Sequence, residues 1–527
     1  MQNVLIAGQW RPSQASGSFR ADNPVAMELL PDEYPVSTWQ DCDEALTAAV
    51  AAAEQLRTLP AERIAQFLER FAERIEARKD ELVNMAHAET ALAISPRLAD
   101  GELPRTTNQL RQAAAAVREG SWSMPTIDSK QNIRSVYGPI GPVLVFGPNN
   151  FPFAFNSAAG GDFVAAVAAG DPVIAKANTS HPGTTRLLAE EAFAAVQDTG
   201  LPPASVQLIY RTSHEDGERL VADERVGATG YTGSRSAGLK LKKAADEAGK
   251  PIYLELSSVN PVVILPGAIA ERGNDLVSQF TASCLMGTGQ FCTNPGLVVL
   301  IGGDSTEAFV DRLKLAFQEA PVGTLLSKNV ADALTRGISE LTWAGAQVIV
   351  GGSGGGGRGY SHANTLLRAS GKQFIENPRA LQTEAFGNAS LIVVAENVEE
   401  AAQVLEHLEG NLTGCIYSDT GGSDEALYQR LEPILRRKVG RLLNDKMPTG
   451  VAVSPAMNHG GPFPATGHPG FTAVGIPAAI HRFAMLQSYD GVRPHRLPTI
   501  LQDKNPTGKT WRLIDGQWSQ GDVGAVV

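Results

Sequence analysis

At Gly141-Pro-Val-Leu-Val-Phe-Gly-Pro-Asn-Asn-Phe-Pro-Phe153 a run of apolar residues ends in a turn rich in Pro and Asn. Such a run, bounded by Gly and Pro, predicts a strand buried on both faces of a sheet. From this point the chain alternates similar runs with segments of helical periodicity, which is typical of a mostly parallel α/β sheet. The strand-like runs are Pro142–Phe146, Pro172–Ala175, Ser205–Tyr210, Pro261–Leu265 and Leu297–Ile301, and the helix-like segments include Thr184–Thr199 and Ser234–Ala248.

The alternation restarts after about Ser257, where Leu391–Ala395 predicts a strand and Val398–Leu408 predicts a helix. The sequence therefore predicts two α/β domains. The part before the first of these strands differs, because Asp43–Ala91 is rich in Ala and amphipathic and predicts helices. Ile133–Tyr137 then predicts a strand that lies outside the main alternation.

Composition and charge narrow the class of protein. The chain has 527 residues, of which 43% are hydrophobic and 19% charged. These values suit a soluble globular protein with about two to four domains. The formal net charge of −11 gives no support to a nucleic-acid or anionic-membrane partner. The most apolar stretch, Phe163–Ala175, is too short for a bilayer, which takes about 20 apolar residues.

The N-terminus and the cysteines indicate the compartment. Met1–Gly8 lacks the basic start and apolar core of a signal peptide. Four cysteines in so long a chain make no disulfide framework, and no Cys-x-x-Cys pair suggests zinc. We therefore expect a cytoplasmic protein with no metal site. The cysteines are Cys42, Cys284, Cys292 and Cys415.

A glycine run imitates a dinucleotide-binding motif. Gly352-Ser-Gly-Gly-Gly-Gly357 fits Gly-x-Gly-x-x-Gly and follows the strand-like Gln347–Val350. No helix signal follows it, and the match comes from low complexity, so the run predicts a flexible surface loop. Any dinucleotide must therefore bind in some other way.

Cys292 stands in Met286-Gly-Thr-Gly-Gln-Phe-Cys-Thr-Asn-Pro-Gly296, after a predicted helix, Asn274–Leu285. The glycines and the Asn-Pro-Gly turn predict an exposed bend where a thiol can approach a ligand beside backbone N–H groups. A structural role is commoner for a lone cysteine, so both interpretations stay open. Cys284 and Cys415 lie in apolar helix-like and strand-like contexts and are interpreted as structural.

Three polar residues stand at the ends of predicted strands. Glu255 is the only charge in Pro251-Ile-Tyr-Leu-Glu-Leu-Ser-Ser-Val-Asn-Pro261, where a carboxylate suits a general base or equally a solvated strand end. Asn150 could donate to a developing oxyanion, although an Asn in a Pro-bounded turn is commonly structural. Lys176 could serve a nucleotide or end its strand in solvent.

These segments together resemble the aldehyde dehydrogenase superfamily, from about Ala7 to Phe483. Each motif is weak alone, but six occur in the family's order and approximate spacing. They are Gly147-Pro-Asn-Asn-Phe-Pro152, Val173-Ile-Ala-Lys176, Tyr231-Thr-Gly-Ser234, Leu254-Glu-Leu256, Gly289-Gln-Phe-Cys292 and Thr383-Glu-Ala-Phe-Gly387.

The resemblance implies a catalytic site. Cys292 would attack the aldehyde, the Asn150 amide would hold the oxyanion, and Glu255 would activate the water that hydrolyses the thioester. Cofactor-binding residues would be Lys176, Thr179, Gly233, Ser234, Glu384 and Phe386.

Details of the sequence resemble the branch of the family that oxidises α-ketoglutaric semialdehyde (2,5-dioxovalerate) to 2-oxoglutarate. The segments that show this resemblance include Arg105-Thr-Thr-Asn-Gln-Leu-Arg111, Ser257-Ser258, His459-Gly-Gly-Pro-Phe-Pro-Ala465 and Trp511-Arg-Leu-Ile-Asp-Gly-Gln-Trp518. A carboxylate in an apolar tunnel needs a cationic partner, and Arg105 is the candidate, with a surface position at a helix start as the alternative. The other candidate substrate residues are Phe151, Phe155 and His459.

Three departures from the family pattern affect the cofactor site. Ser257-Ser258 replaces a common Gly-Gly, and Asn388 stands where the clamp usually has Pro. Thr179 occupies a position that is Glu in many NAD-preferring members. A neutral Thr does not repel a 2′-phosphate, so we expect NADP to be accepted or preferred, with NAD also accepted.

The resemblance also implies an architecture and an assembly. A Rossmann-like cofactor domain would comprise residues 1–122 and 139–257, and an α/β catalytic domain residues 258–450. A small β-flap for oligomerisation would comprise 123–138 and 470–490, with a late strand near 473–483, and residues 491–527 would form a C-terminal extension. We expect a homodimer or homotetramer.

Three alternatives remain at this stage. A broad or medium- to long-chain aliphatic aldehyde dehydrogenase using NADP would share every catalytic residue. An acylating enzyme would pass the thioester to coenzyme A and would need no water-activating base. A non-catalytic structural relative would tolerate loss of Cys292 or Glu255, and both are present.

Overall fold

Two seven-stranded sheets and a smaller five-stranded sheet organise the chain in the computed structural model, which describes residues 1–524. The two large sheets confirm the α/β class. Every strand and helix that the sequence predicted from Pro142 to Leu408 is present with bounds within two residues, except that the helix before Cys292 starts earlier, at Pro266. The glycine run 352–357 lies in an exposed loop that no helix follows, as predicted.

The strands of the described residues are, in chain order, β1 (Val4–Ile6), β2 (Gln9–Arg11), β3 (Ala15–Phe19), β4 (Asp22–Asn23), β5 (Glu28–Leu29), β6 (Tyr34–Ser37), β7 (Thr126–Asp128), β8 (Ile133–Pro139), β9 (Val143–Phe146), β10 (Val173–Lys176), β11 (Val206–Ile209), β12 (Arg211–Thr212), β13 (Ala228–Thr232), β14 (Ile252–Glu255), β15 (Val262–Ile264), β16 (Leu297–Ile301), β17 (Gln347–Val350), β18 (Thr365–Ser370), β19 (Ala389–Ala395), β20 (Asn411–Tyr417), β21 (Val439–Asn444), β22 (Ala484–Asp490), β23 (Arg512–Ile514) and β24 (Gln517–Ser519).

The α-helices of the same residues are α1 (Trp39–Leu56), α2 (Ala61–Ala77), α3 (Lys79–Thr90), α4 (Leu103–Glu119), α5 (Gly161–Ala169), α6 (Pro182–Thr199), α7 (His214–Ala222), α8 (Arg235–Glu247), α9 (Pro266–Leu285), α10 (Asp304–Glu319), α11 (Lys328–Trp343), α12 (Gly371–Glu376), α13 (Val398–Glu406), α14 (Glu425–Lys438) and α15 (Ala478–His481). None of them is both long and apolar enough to cross a membrane.

Local sequence signals explain where several helices begin and end. Helix α6 starts at Pro182, whose missing N–H is harmless in a first turn, and stops at Gly200, which has a φ of +68°. Helix α13 is capped by Asn397, whose side chain accepts from the backbone N–H of residues 399 and 400. Helix α6 packs against β11 and helix α13 against β19.

The first large sheet has the order β14-β13-β9-β10-β11-β1-β2, with its central strands parallel. The second has the order β17-β18-β19-β16-β15-β20-β21 and is parallel except at β17. Both sheets are built from short apolar strands that are buried almost throughout, as strands covered by helices on both faces must be.

The five-stranded sheet differs from the predicted flap in two details. Its order is β22-β8-β7-β23-β24, so two strands from the segment expected as an extension join it. Its late strand is Ala484–Asp490 rather than 473–483. The earlier segment contains Gly475 and Pro477 and forms the short helix α15, because Pro has no N–H for a strand ladder. The domain bounds and the role of the flap stay predictions.

Candidate active site

Four strand ends meet at one edge of the first sheet. In the register, Lys176 of β10 lies beside Phe146 of β9. Tyr231 of β13 lies on the other side of Phe146, and the next β13 residue pairs with Glu255 of β14. After β9 the next strand, β10, joins the sheet on one side, whereas after β13 the next strand, β14, joins it on the opposite side. Ligands of open α/β sheets bind in the crevice that such a reversal creates.

A tight turn between α9 and β16 carries Cys292. A Cβ atom on Gly289 would lie 2.1 Å from the carbonyl oxygen of Gly387, so only glycine allows this close approach. Asn260 holds the other side of the turn, because its Nδ2 donates to the carbonyls of Cys292 and Asn294 at 2.9 and 2.8 Å. Cys292 is half-buried, whereas the other three cysteines are buried. The turn therefore presents this thiol to the site.

His459 connects the thiol to the carboxylate at the end of β14. Its Nε2 lies 3.4 Å from the Sγ of Cys292 and 2.9 Å from Oε1 of Glu255. The His459 and Glu255 side chains are 1% and 2% exposed. The sequence placed His459 only among candidate substrate residues. In the structure it lies between the candidate nucleophile and the candidate base.

Burial controls the protonation of the thiol. It raises the pKa of Cys292 well above its ordinary value, and the Glu255 carboxylate raises that pKa further. The Arg105 guanidinium acts in the opposite direction. A thiol in this state keeps its proton near neutral pH, so its conversion to a thiolate needs an acceptor. Glu255 and His459 are close enough to take part in that transfer.

The Asn150 side chain lies beside the cysteine turn. Its Nδ2 donates to the carbonyl oxygen of Gln290 at 3.0 Å, two residues before Cys292. A primary amide has two N–H donors, so this bond fixes the side chain and leaves one donor free for a ligand. The position matches an oxyanion donor close to the thiol.

Two residues that the sequence analysis missed hold the Asn150 loop. Arg97 donates to the backbone oxygen of Asn150 at 3.0 Å and pairs with Glu102 at 2.8 Å. The Glu102 side chain also accepts from the backbone N–H groups of Phe153 and Ala154. Charged residues at a helix start usually face solvent, so the pattern gave no reason to select them.

Aromatic side chains form one wall beside the thiol. Phe151 packs edge-on against Phe155 and Phe291, with ring centroids 5.1 and 5.5 Å apart. Phe155 also lies 5.6 Å from the His459 ring. Phe151, Phe155 and Phe291 belong to one apolar cluster against which Cys292 packs, and the substrate role of Phe151 and Phe155 stays a prediction.

Two arginines approach this wall without a carboxylate partner. Arg105 donates to the carbonyl of Val451 at 2.9 Å, and Arg441 donates to that of Gly450 at 3.1 Å. Burial lowers the pKa of both, and each interacts electrostatically with Cys292. Nε of both and Nη2 of Arg105 are buried with no hydrogen-bond partner within residues 1–524.

Arg441 could have been found from the sequence. It carries the only charge in the strand Val439-Gly-Arg-Leu-Leu-Asn444. A lone charge in an otherwise uncharged segment is also the signal that selected Glu255. Two partly desolvated cations that lack an acidic ion-pair partner within residues 1–524 thus act electrostatically on the thiol. Since unpaired buried charge is costly, this arrangement favours an anionic ligand.

The candidate cofactor residues follow the strand ends of the first sheet. Desolvation and, to a smaller extent, the nearby Arg211 guanidinium together lower the pKa of Lys176 to about 8. Thr179 is exposed three residues later. The Gly233 N–H donates to the backbone oxygen of Glu255 at 3.1 Å, which fixes the turn that carries Ser234. A positive crevice beside a glycine turn fits a dinucleotide phosphate.

The remaining cofactor candidates line a cleft that includes Glu384, Phe386 and Ser258. The Ser258 N–H donates to Glu384 at 3.3 Å. Burial raises the Glu384 pKa to about 7. Asn388, the departure from the family clamp, turns away from the cleft and donates to the carbonyl of His362 at 2.7 Å. Its Nδ2 group is therefore bonded inside the protein, to His362 and to Oδ1 of Asn364 at 2.8 Å.

Comparison with known proteins gives the class of this protein. The model of the aldehyde dehydrogenase family matches residues 10–437. The chain therefore belongs to the aldehyde dehydrogenase family. It is an oxidoreductase that acts on small-molecule aldehydes with NAD(P) as the cofactor.

Two similar relatives carry a more specific name. The chain is 39% identical over 525 residues to α-ketoglutaric semialdehyde dehydrogenase 2 of Azospirillum brasilense, covering 97% of this chain and 98% of the relative. It is 35% identical over 510 residues to α-ketoglutaric semialdehyde dehydrogenase of Acinetobacter baylyi, covering 94% and 95%.

Solved structures share the fold at lower identity. Lactaldehyde dehydrogenase from Escherichia coli superposes with a TM-score of 0.78 at 22% identity, covering 93% of this chain and 98% of that one. PnpE in complex with nicotinamide adenine dinucleotide gives a TM-score of 0.79 at 22% identity, covering 94% and 100%.

Proposed function

We propose that this enzyme oxidises an aldehyde that bears a carboxylate at its far end, with 2,5-dioxovalerate, which yields 2-oxoglutarate, as the leading substrate. The observation that carries the proposal is the pair Arg105 and Arg441, two half-buried arginines that have no acidic ion-pair partner within residues 1–524 and that interact electrostatically with Cys292. The names of the two similar relatives agree with this substrate.

Acylation would begin at the thiol. Cys292 passes its proton to Glu255, which releases it to solvent before deacylation, and the thiolate adds to the aldehyde carbon, which gives a tetrahedral thiohemiacetal. The free N–H of Asn150 and the backbone N–H of Cys292 hold the oxyanion. Removal of one such donor typically lowers the rate by about 10²–10³. NAD(P), when bound, supplies the acceptor for the hydride that leaves the carbon.

Deacylation would use the buried carboxylate. Glu255 takes a proton from water, which attacks the thioester and frees Cys292. With Nε2 protonated, His459 donates to Glu255 Oε1 and orients that carboxylate, while its ring dipole lies beside the sulfur. His459 is thus a positioning residue in this proposal.

NADP is proposed as the preferred cofactor, with NAD also accepted. Lys176 and Arg211 provide two positive charges near the exposed, neutral Thr179. A 2′-phosphate is dianionic near neutral pH and is favoured by such charges. Glu384 and Lys176 would hold ribose hydroxyls, Gly233 and Ser234 the pyrophosphate, and Phe386 the nicotinamide side of the cleft.

A comparison of substrates tests the proposed function. We expect Arg105→Ala and Arg441→Ala each to lower kcat/KM for 2,5-dioxovalerate by roughly 10²-fold, because loss of a buried charge partner costs a few kcal/mol. A neutral aldehyde of similar length is the internal control and should be much less affected. An equal loss on both substrates, or a wild type that prefers the neutral one, would favour the aliphatic aldehyde dehydrogenase instead.

Coenzyme A provides a separate control in the same assay. An acylating enzyme needs coenzyme A to release the product, whereas Glu255 beside Cys292 supports hydrolysis. We expect turnover to be independent of coenzyme A. Turnover that requires it would refute the hydrolytic mechanism.

Exposed apolar side chains on an edge strand bear on the assembly, and unpaired thiols bear on the compartment. Met485 and Leu486 of the edge strand β22 are 46% and 55% exposed, which suits an interface between copies of the chain. We propose a homodimer or homotetramer, which light scattering can measure. Four unpaired thiols suit the reducing cytoplasm as the working compartment.

A further inference from the structure

The candidate catalytic residues also have the chemistry of a metal site. Cys292, His459 and Glu255 each offer one ligand atom, and the three atoms lie within 4.8 Å of one another. A thiolate, an imidazole nitrogen and a carboxylate oxygen form a set of ligands that Zn²⁺ takes in proteins. Cys292 and Glu255 are 37 residues apart in the chain, so no local spacing motif announces the set.

The distances fit tetrahedral coordination. With Zn–S near 2.3 Å and Zn–N or Zn–O near 2.0–2.2 Å, ligand atoms lie roughly 3.3–3.6 Å apart. Sγ of Cys292 and Nε2 of His459 are 3.4 Å apart, and Nε2 and Oε1 of Glu255 are 2.9 Å apart. The second pair has to open by a few tenths of an ångström, and Sγ and the Glu255 oxygen, which lie within 4.8 Å of each other, need at most a shift of about 1 Å.

Two further features favour a bound cation here. Glu255 Oε2 is buried and has no hydrogen-bond partner within the described chain. The His459 backbone is fixed, because its N–H donates to Thr472 at 3.0 Å and its carbonyl accepts from Ala473 at 2.9 Å. The imidazole is itself buried and packs against Phe155, with ring centroids 5.6 Å apart, so it has little room to turn away. The ligands are preorganised, which lowers the entropic cost of binding.

We propose that Cys292, His459 and Glu255 bind one Zn²⁺ ion and that this ion reversibly inhibits the enzyme. The ion replaces the thiol proton, which passes to solvent, and water from the tunnel takes the fourth position. A thiolate bound in this way can neither attack an aldehyde nor react readily with an oxidant. Arg105 and Arg441 oppose a cation, but the thiolate and the carboxylate touch it directly and outweigh them, because Coulomb energy falls with distance.

Cobalt gives a direct spectroscopic test. Co²⁺ replaces Zn²⁺ in tetrahedral sites, and a thiolate ligand produces a sulfur-to-cobalt charge-transfer band. We expect the wild-type apoenzyme to bind one Co²⁺ per protomer with this band, and Cys292→Ser to lack it. Absence of the band in the wild type, or its survival in Cys292→Ser, would overturn the proposal.

Zinc affinity tests the other two ligands. Competition with a chromophoric chelator should show that His459→Asn and Glu255→Gln each weaken Zn²⁺ binding by at least the 10–100-fold that loss of even an outer-shell partner costs. The matched control is His468→Asn, nine residues further on and exposed. It should bind Zn²⁺ as the wild type does. Equal affinity in all four proteins would place the ion elsewhere and refute the site.

Thiol protection provides a readout that needs no turnover. Zn²⁺ should slow alkylation of Cys292 by iodoacetamide at least tenfold in the wild type and in His468→Asn, and much less in His459→Asn. Thermal melts confirm that each variant is folded. Unprotected Cys292 in zinc-loaded wild type would contradict the proposal, whatever the substrate proves to be.

Discussion

At the scale of single residues, the site depends on contacts that burial makes strong. Glu255 is 2% exposed, touches His459 and raises the pKa of Cys292. One carboxylate would therefore affect both halves of the proposed reaction: it favours the protonated thiol at rest, and it is the base proposed for hydrolysis of the thioester. The two effects can be measured separately. The rate of Cys292 alkylation reports the protonation of the thiol, and pre-steady-state kinetics report hydrolysis of the thioester.

Glu255→Gln should divide the reaction at the thioester. A neutral amide cannot activate water, so we expect a burst of about one NADPH per site followed by slow turnover. In the cofactor-free enzyme the same change should speed alkylation of Cys292 near neutral pH, because the amide removes a negative charge that raises the thiol pKa. Rapid-quench and iodoacetamide kinetics measure the two effects. An unchanged steady-state rate would remove Glu255 from the mechanism.

At the scale of elements, several strand ends of the first sheet were predictable and the long-range contacts were not. The apolar runs and their Gly and Pro boundaries located β9, β10 and β11 within two residues, whereas β13 and β14 were not among the predicted strands. Strand ends then identified Asn150 and Lys176 as candidates, and Glu255 was identified as the only charge in an apolar segment. No periodicity could show that a loop some 200 residues later brings His459 beside Glu255, because that contact depends on how the chain packs after its strands form.

The same limit explains Arg97 and Glu102. Their side chains act on the Asn150 loop from a segment that the sequence marked only as the approach to a helix. A charge in a polar, helix-like segment carries no signal of burial. Arg441 did carry such a signal, because charge is rare in an apolar strand, and it was overlooked.

The loop after β10 should control the choice of cofactor. Thr179→Glu places a negative charge where we propose the 2′-phosphate, and a like charge in close contact costs several kcal/mol. We expect the ratio of kcat/KM for NADP to that for NAD to fall by about 10²-fold. Thr179→Gln is the matched control and should change the ratio much less. A ratio that does not move would show that residue 179 does not face the 2′-position.

The lowered pKa of Lys176 predicts how the preference for NADP over NAD depends on pH. Its pKa is lowered to about 8, so it is charged below pH 8 and loses that charge above it. The 2′-phosphate stays dianionic through this range, so bound NADP favours the protonated lysine. NADP affinity should therefore fall by up to about tenfold between pH 7 and pH 9, and NAD affinity should change less. Calorimetric titrations at several pH values measure both. Parallel profiles for the two cofactors would contradict the assignment.

At the scale of the whole molecule, the five-stranded sheet has a small core of its own. Ile127, Val136, Leu497 and Leu501 form an apolar cluster separate from the large core that underlies the first sheet. Half of this cluster comes from the last 35 or so residues of the chain. Arg512 is fully buried and links these last residues, because it donates to the backbone carbonyls of Gln502, Asp503 and Gly521. Stability therefore need not be uniform across the protein.

Leu501→Ala should loosen this sheet without changing the chemistry. Leu501 is fully buried, and truncation of such a residue costs about 2–5 kcal/mol. If the sheet opens as a unit, amide exchange in β7, β8 and β23 should accelerate by roughly 30- to 3000-fold, since every 1.4 kcal/mol is a factor of ten. Amides of β9 and β10, which the large core protects, should keep their rates, and kcat per folded site at low temperature should stay near that of the wild type. Leu501→Ile, which nearly conserves volume, should show only a small part of the effect. Hydrogen exchange measured by mass spectrometry shows whether the five-stranded sheet opens alone. Equal acceleration in β8 and β9 would mean that this sheet and the first sheet unfold together. The active site would then depend on the last strands of the chain.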